Sequence, residues 1–346
     1  MNRTQLMQPS PQTDADRRRA FSLIELLVVV AIIIALVGLL LVALRGAQNS
    51  AREAKSSSTM NAFANAAMQF QQEHQRFPGL LPDEVLAEIP ELTTTQNALF
   101  ELMGGAMAYH PILRQRNFDE YEAFKALGGS EPEVSVGSTG WVFVYNPDRF
   151  GEGPMINGKV YEPYLSVDDN VVRLAEGRLA DGSDTGFESR YPDLIDAWGQ
   201  PIIYFRRLSP TGVLISEDPS DRPQFLFAGF DQYLESPELG ELGRDQRPTG
   251  GQIEHSIFNS MTGMSMPAAT LAQLIRNAAI GEPDQPLTGS ARGGFVLISA
   301  GEDGIFFSVT DGPGTRDAPV DDILTGENAN PKVAEDYDDI RIFGGS

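Results

Sequence analysis

Three consecutive arginines, Arg17 to Arg19, stop at Ala20. After Phe21-Ser22-Leu23-Ile24-Glu25, an uncharged apolar run extends from Leu26 to Leu44. At about 1.5 Å of rise per residue these roughly 19 residues make about 28 Å of helix, close to the about 30 Å of a bilayer core. An ordinary signal peptide has a shorter apolar stretch, about 7–15 residues, ending in a small-residue cleavage site. Here the run is longer and leads directly into Arg45 and a polar helical pattern. The arginines predict that the leader stays in the cytoplasm and that everything after the run lies on the other side of the membrane. Glu25 is the anomaly. A carboxylate costs about 2.5–3.5 kcal/mol at the centre of a membrane helix, and less near the interface. The first basic side chain after it is Arg45. The acid therefore needs a partner, and a plain anchor has no need for it.

Arg-Arg-Arg-Ala-Phe-Ser-Leu-Ile-Glu resembles the class III signal of type IV prepilins and type II secretion pseudopilins. The resemblance implies that prepilin peptidase cuts between Ala20 and Phe21 and methylates the new amino terminus at Phe21. Glu25 then becomes the fifth mature residue, where the family has its glutamate. Ala20 stands where the family usually has Gly, and Val42 where many pilins have Pro. In such assemblies Glu25 would meet the Phe21 amine of a neighbouring subunit. Mutual neutralisation of two buried charges selects register more than it adds net stability.

Composition narrows the rest. The chain has 48 acidic and 26 basic residues and a formal charge of −22. Residues 1–20 carry +2 (Arg3 and Arg17 to Arg19 against Asp14 and Asp16), so the processed chain stands at about −24. Such a surface repels nucleic acid and anionic lipid, and suits cations or basic partners. There is no cysteine, which excludes disulfides, thiol catalysis and Cys-based metal sites. His74, His110 and His255 are far apart in sequence, which argues against a histidine metal site. Residues 1–16 have little apolar content and read as disordered leader.

Along the mature chain, Met60, Phe63, Ala64, Ala67, Met68 and Phe70 recur at helical spacing. One helix is therefore predicted from Phe21 to about Gln75, ended by Phe77-Pro78-Gly79. Short helices are expected at 82–89, 96–108 and 118–127, a strand at Trp141–Tyr145, two further short strands within 160–172, and a loop at 174–193. The expected divisions are leader 1–20, membrane helix 21–44, amphipathic continuation 45–77, an insertion-rich α/β region 78–193, and a β-rich region 194–346 with an insertion at about 235–293. The fold class is α+β: a long N-terminal helix, membrane-spanning in its first half, packed on a small antiparallel sheet with helical and loop insertions.

Two further stretches carry the resemblance. Asp196-Ala197-Trp198-Gly199-Gln200-Pro201-Ile202-Ile203-Tyr204 is similar to the Asp-Pro-Trp-Gly-x-Pro-x-x-Tyr motif of major pseudopilins, with Ala197 in place of Pro. Its physics is a turn entering a strand: Asp196 caps, Gly199 supplies positive φ, Pro201 begins the strand, and Trp198 buries over the sheet, a structural rather than catalytic motif that also keeps Tyr204. Ser299-Ala300-Gly301-Glu302-Asp303-Gly304 is similar to the family's Ser-Ala-Gly-Pro-Asp-Gly. In that family the following loop, closed by Asp-Asp-Ile, binds one calcium ion. The resemblance implies Asp303 as a ligand, with Asp322 or Asp339 second, from Asp321-Asp322-Ile323 or Asp338-Asp339-Ile340. Calcium takes about six to eight oxygens, which carboxylates and loop carbonyls supply. The parallel Ala-Gly-Phe-Asp at 228–231 makes Asp231 an outside candidate.

These features predict a structural subunit of a type II secretion pseudopilus or type IV pilus-like filament, anchored in the inner membrane with its C-terminal domain periplasmic. Its partners would be prepilin peptidase, other pseudopilins or copies of itself, and an inner-membrane assembly platform. The alternatives are a minor tip or cargo-binding pseudopilin, and an anchored binding protein or adhesin that uses the signal for export only. No Ser-His-Asp order, phosphate loop or zinc motif occurs, so no enzyme is predicted.

Overall fold

The computed structural model describes residues 23–86, 88–89, 92–112, 118–168, 171–178, 184–216, 218–227, 271–272, 274–277, 289–307 and 337–345; of 175–188 it describes backbone only. The chain divides into two compact units, 1–50 and 51–346. Helix α1, Leu23–His74, contributes to both. In the first unit its described large apolar side chains, from Leu23 to Leu44, are exposed, as a membrane segment requires.

In the second unit α1 becomes amphipathic. Met60, Phe63, Ala64, Ala67 and Phe70 are buried at three- and four-residue intervals. The helix ends where Gln75 turns left-handed, ahead of Phe77-Pro78. There follow α2 (Asp83–Leu86), α3 (Thr94–Met103), β1 (Ala106–Tyr109), α4 (Phe118–Lys125), β2 (Val134–Val136), β3 (Trp141–Tyr145), β4 (Met155–Ile156), β5 (Lys159–Val160), β6 (Val172–Arg178), β7 (Asp184–Leu194), β8 (Ile203–Arg206), β9 (Ile215–Ser216), β10 (Phe225–Leu226), β11 (Phe295–Ser299) and β12 (Ile340–Gly344).

Two three-stranded antiparallel sheets organise this unit. In β12-β11-β8, Phe295 lies opposite Arg206 on one side and Gly344 on the other. Alternation sends Tyr204, Phe295 and Leu297 toward α1 and α3. Ile203, Phe205, Val296 and Ile298 go to a second cluster with Leu214, Phe225, Leu274 and Phe306. Both faces are covered, which is why Ile203–Phe205 of β8 and Phe295–Ile298 of β11 are continuously apolar. In β1-β3-β2, Phe143 and Tyr145 face α2 and Phe100 of α3, while Val144 faces Tyr121 and Phe124 of α4.

The outer edge of β8 is covered by the first turn of α3. Thr94 and Thr95 donate their hydroxyls to the Tyr204 and Ile202 carbonyls at 2.5 and 2.8 Å, and Thr95 Oγ1 accepts from Tyr204 N at 2.9 Å. Paired this way, the edge offers no template for another strand. Thr93 and Gln96 form a capping box that starts α3.

Three expectations are corrected. The helix expected at 96–108 ends at Met103, because Gly104 and Gly105 adopt positive φ, and the chain continues as β1. The loop expected at 174–193 is most of a β6–β7 hairpin, held by backbone pairing despite its polar, Gly-rich sequence. Among the described residues of 160–172 the strands lie only at the ends, at Val160 and Val172.

At the end of β8 a buried ion pair fastens the 77–83 segment. Arg206 donates to Asp83 Oδ1 through Nε at 2.9 Å and Nη2 at 2.6 Å, and to the Pro78 and Leu81 carbonyls at 2.7 and 3.0 Å. A side chain on Gly79 would overlap the guanidinium. Asp83→Ala leaves this cation buried without its counter-charge, and should cost about 3–5 kcal/mol. Replacing both partners, with Asp83→Leu and Arg206→Met, should recover much of the loss. Chemical denaturation of the three variants checks this.

Candidate functional site

Glu25 lies in the first turn of α1, in a helix whose described apolar side chains are all uncovered as far as Leu44. A carboxylate in a first turn is favoured by the partial positive charge of the free helix N–H groups. Ala20 and Phe21 lie outside the described residues.

The Asp196 turn joins three parts of the second unit. Strand pairing continues from β7 into the turn through a bridge between Ile195 and Pro201. Asp196 Oδ1 accepts the backbone N–H groups of Trp198 and Gln200, both at 2.9 Å. Its Oδ2 accepts the Ser299 hydroxyl from β11 at 2.7 Å. The next N–H, of Ala197, donates at 2.9 Å to Ser56 Oγ on α1. Gly199 supplies the positive φ of 95° that closes the turn. Tyr204 is fully buried, with its ring edge-on to Phe63 at 5.1 Å. Trp198 differs from expectation: it is only partly buried, because the turn holds it at the rim of the sheet. Ser56 was not legible as a partner, since its only sequence context is a run of three serines in a helix.

The second motif continues from β11. Gly301 and Gly304 both adopt φ of 75°. Asp303 Oδ1 accepts from Ile305 N at 2.8 Å, and Asp338 Oδ2 accepts from Glu302 N at 3.2 Å. Asp339 is buried and accepts the Phe307 N–H with both oxygens, at 3.0 and 2.9 Å. Pairing of β12 with β11 is what returns Asp338 and Asp339 to this turn. Burial holds the Asp339 carboxyl well above its ordinary range, and the charges of Asp338 and Asp303 push it the same way. These are hard oxygen donors, the chemistry that calcium requires. Each is nevertheless engaged with the backbone, and among the described residues no three acidic or histidine side chains gather as a metal-ligand group. Asp321, Asp322 and Asp231 lie outside the described residues.

Burial also pushes the Asp196 carboxyl up, to about 6, against the opposing hydrogen bonds from Ser299, Gln200 and Trp198. Folding therefore favours its protonated form. This contribution to stability is whole below about pH 4 and is lost as pH rises through about 6; a shift of this size corresponds to about 3 kcal/mol. Asp196→Asn should flatten that part of the stability curve relative to wild type. Asp196→Ala, which strands the buried donors, should cost about 1–3 kcal/mol for each of them. Denaturant titrations from pH 4 to 7 separate these outcomes, and an unchanged slope in the Asn variant would assign the pH dependence to another group.

Residues 16–43 match the prokaryotic N-terminal methylation motif. The chain thus carries a type IV pilin-like prepilin signal, which marks it for prepilin peptidase and for pilin-like assembly. No curated protein and no solved structure matches the chain.

Proposed function

Starting from a chain that carries a prepilin signal, we propose that it is a structural, non-enzymatic subunit of a type II secretion pseudopilus or type IV pilus-like filament. The observation that carries this reading is Glu25, in the first turn of a helix with an uncovered apolar surface and five residues into the processed chain. Neighbouring helices would cover that surface, and each Glu25 would meet the amine of an adjacent Phe21, so that both charges are neutral only in the assembly. Arginines 17–19 keep the leader cytoplasmic, and the second unit is then periplasmic.

A second reading, a minor subunit that contacts cargo or caps the filament, is favoured by the separate sheet β1-β3-β2 and its covering helix α4. The packing of α1 on β12-β11-β8 does not require them.

Intact mass and amino-terminal sequencing of protein from its native membrane test both readings of the signal. An N-methylated Phe21 terminus is expected, together with crosslinked oligomers that are lost in Glu25→Ala. A terminus at Met1 or beyond Leu44 overturns the proposal.

The turn after β11 is proposed to hold calcium, with Asp303 and Asp339 as ligands and loop oxygens completing the shell. The like-charge crowding around Asp339 supports this, since a bound cation would relieve it. Millimolar calcium should raise the melting temperature of wild type over its value in chelator, and Asp303→Asn should abolish the increment. Equal melting in both conditions would remove calcium from the reading.

A further inference from the structure

A recess of about 400 Å³ opens beside the end of α1, walled by the 76–82 segment, the end of β8 and Trp141 of β3. Its lining includes His74, Arg76, Arg206 and Arg207 and not one carboxylate, in a chain with 48 acids and 26 bases. Two of the three guanidinium groups are committed. Arg76 pairs with the buried Glu101, and Arg206 with the buried Asp83. Arg207 differs. Its backbone N–H donates to the Gly294 carbonyl at 2.7 Å, but among the described residues its side chain forms no hydrogen bond or ion pair. It is partly exposed, and Leu208 beside it is 41% exposed. The recess therefore combines one uncommitted cation with an apolar wall.

We propose that this recess receives a carboxylate-bearing loop of a second copy of the chain, with Arg207 taking the carboxylate and Leu208 its apolar flank. The proposal rests on the filament reading. Each processed copy carries a charge of about −24, so packing copies side by side brings like charges together, at a cost that rises as water is excluded. An acid-free recess with a spare guanidinium is the place where one copy can accept the surplus charge of the next. A guanidinium is also suited to bidentate pairing with a carboxylate.

The test places a photo-crosslinking amino acid at position 208 of the full-length chain in its native membrane. An adduct of twice the subunit mass is expected. Its yield should fall about tenfold or more in Arg207→Glu, the factor for a close interfacial charge pair that is lost or reversed, and survive in Arg207→Lys. The melting temperature of Arg207→Glu should match wild type, because among the described residues the side chain forms no hydrogen bond or ion pair. An adduct to a different polypeptide, no adduct, or a doubled-mass adduct insensitive to Arg207→Glu each overturns the proposal. Glu25→Ala separates it from the reading it rests on. Oligomers lost in Glu25→Ala but unaffected by Arg207→Glu remove the recess alone, whereas oligomers that persist in Glu25→Ala remove the filament reading itself.

Discussion

The second unit depends on the docking of α1 against the inner face of β12-β11-β8. Phe63, Ala67 and Phe70 supply an apolar stripe from the helix, and Tyr204, Phe295 and Leu297 supply the opposing face of the sheet. Fully burying side chains of this size stabilises by about 1.5–3 kcal/mol each. The dispersion and area terms fix proximity but not register. Register comes from polar fastenings at the rim: Ser56 on the helix, the Ala197 N–H and Asp196 in the turn, and Ser299 on β11. Four residues from three distant parts of the chain share one small network. The bonding of the turn thus accounts for the residue types at Asp196 and Gly199.

Two arginines of this acidic chain join segments distant in sequence. Arg206 and Asp83 tie the exit of β8 to the segment after α1, and Arg76 and Glu101 tie the end of α1 to α3. Both acids are almost wholly buried; Arg206 is buried with its partner, so losing either is costly, whereas Arg76 reaches the surface and its pair is partly screened. The same arginines that close the fold form a recess without acids on a surface otherwise rich in them. In the acidic turn after β11, burial and the charges of Asp338 and Asp303 instead raise the proton affinity of Asp339.

Legibility varied with the range of the forces involved. The amphipathic half of α1 was plain from spacing: of the predicted stripe all but the half-buried Met68 are buried, while Ser56, Thr59 and Ala66 are buried beside it without having been predicted. Trp141–Tyr145 was legible as a strand because β-branched and aromatic residues fit a pleated surface. The strand β1 was hidden because Ala106-Met107-Ala108 has helical propensity, which pairing with β3 overrides. The β6–β7 hairpin was hidden for the opposite reason: backbone hydrogen bonds hold it, and they leave little mark on side-chain pattern. The Asp196 cap and the Gly199 turn were readable locally, whereas the exposure of Trp198 depends on where the turn stands relative to the sheet rim.

Sequence alone determined the membrane-length helix, its acid at Glu25, the processing signal around Ala20 and Phe21, and the acidic character of everything after them. These are properties of contiguous residues, set by hydropathy, helical rise and charge count. Tertiary structure decided which distant groups meet: Asp196 with Ser299, Asp83 with Arg206, Arg76 with Glu101, and Asp339 with the charges of Asp303 and Asp338. Those meetings follow from strand register and helix docking. They are cooperative outcomes of burial over the whole unit, and no local stretch of chain encodes them.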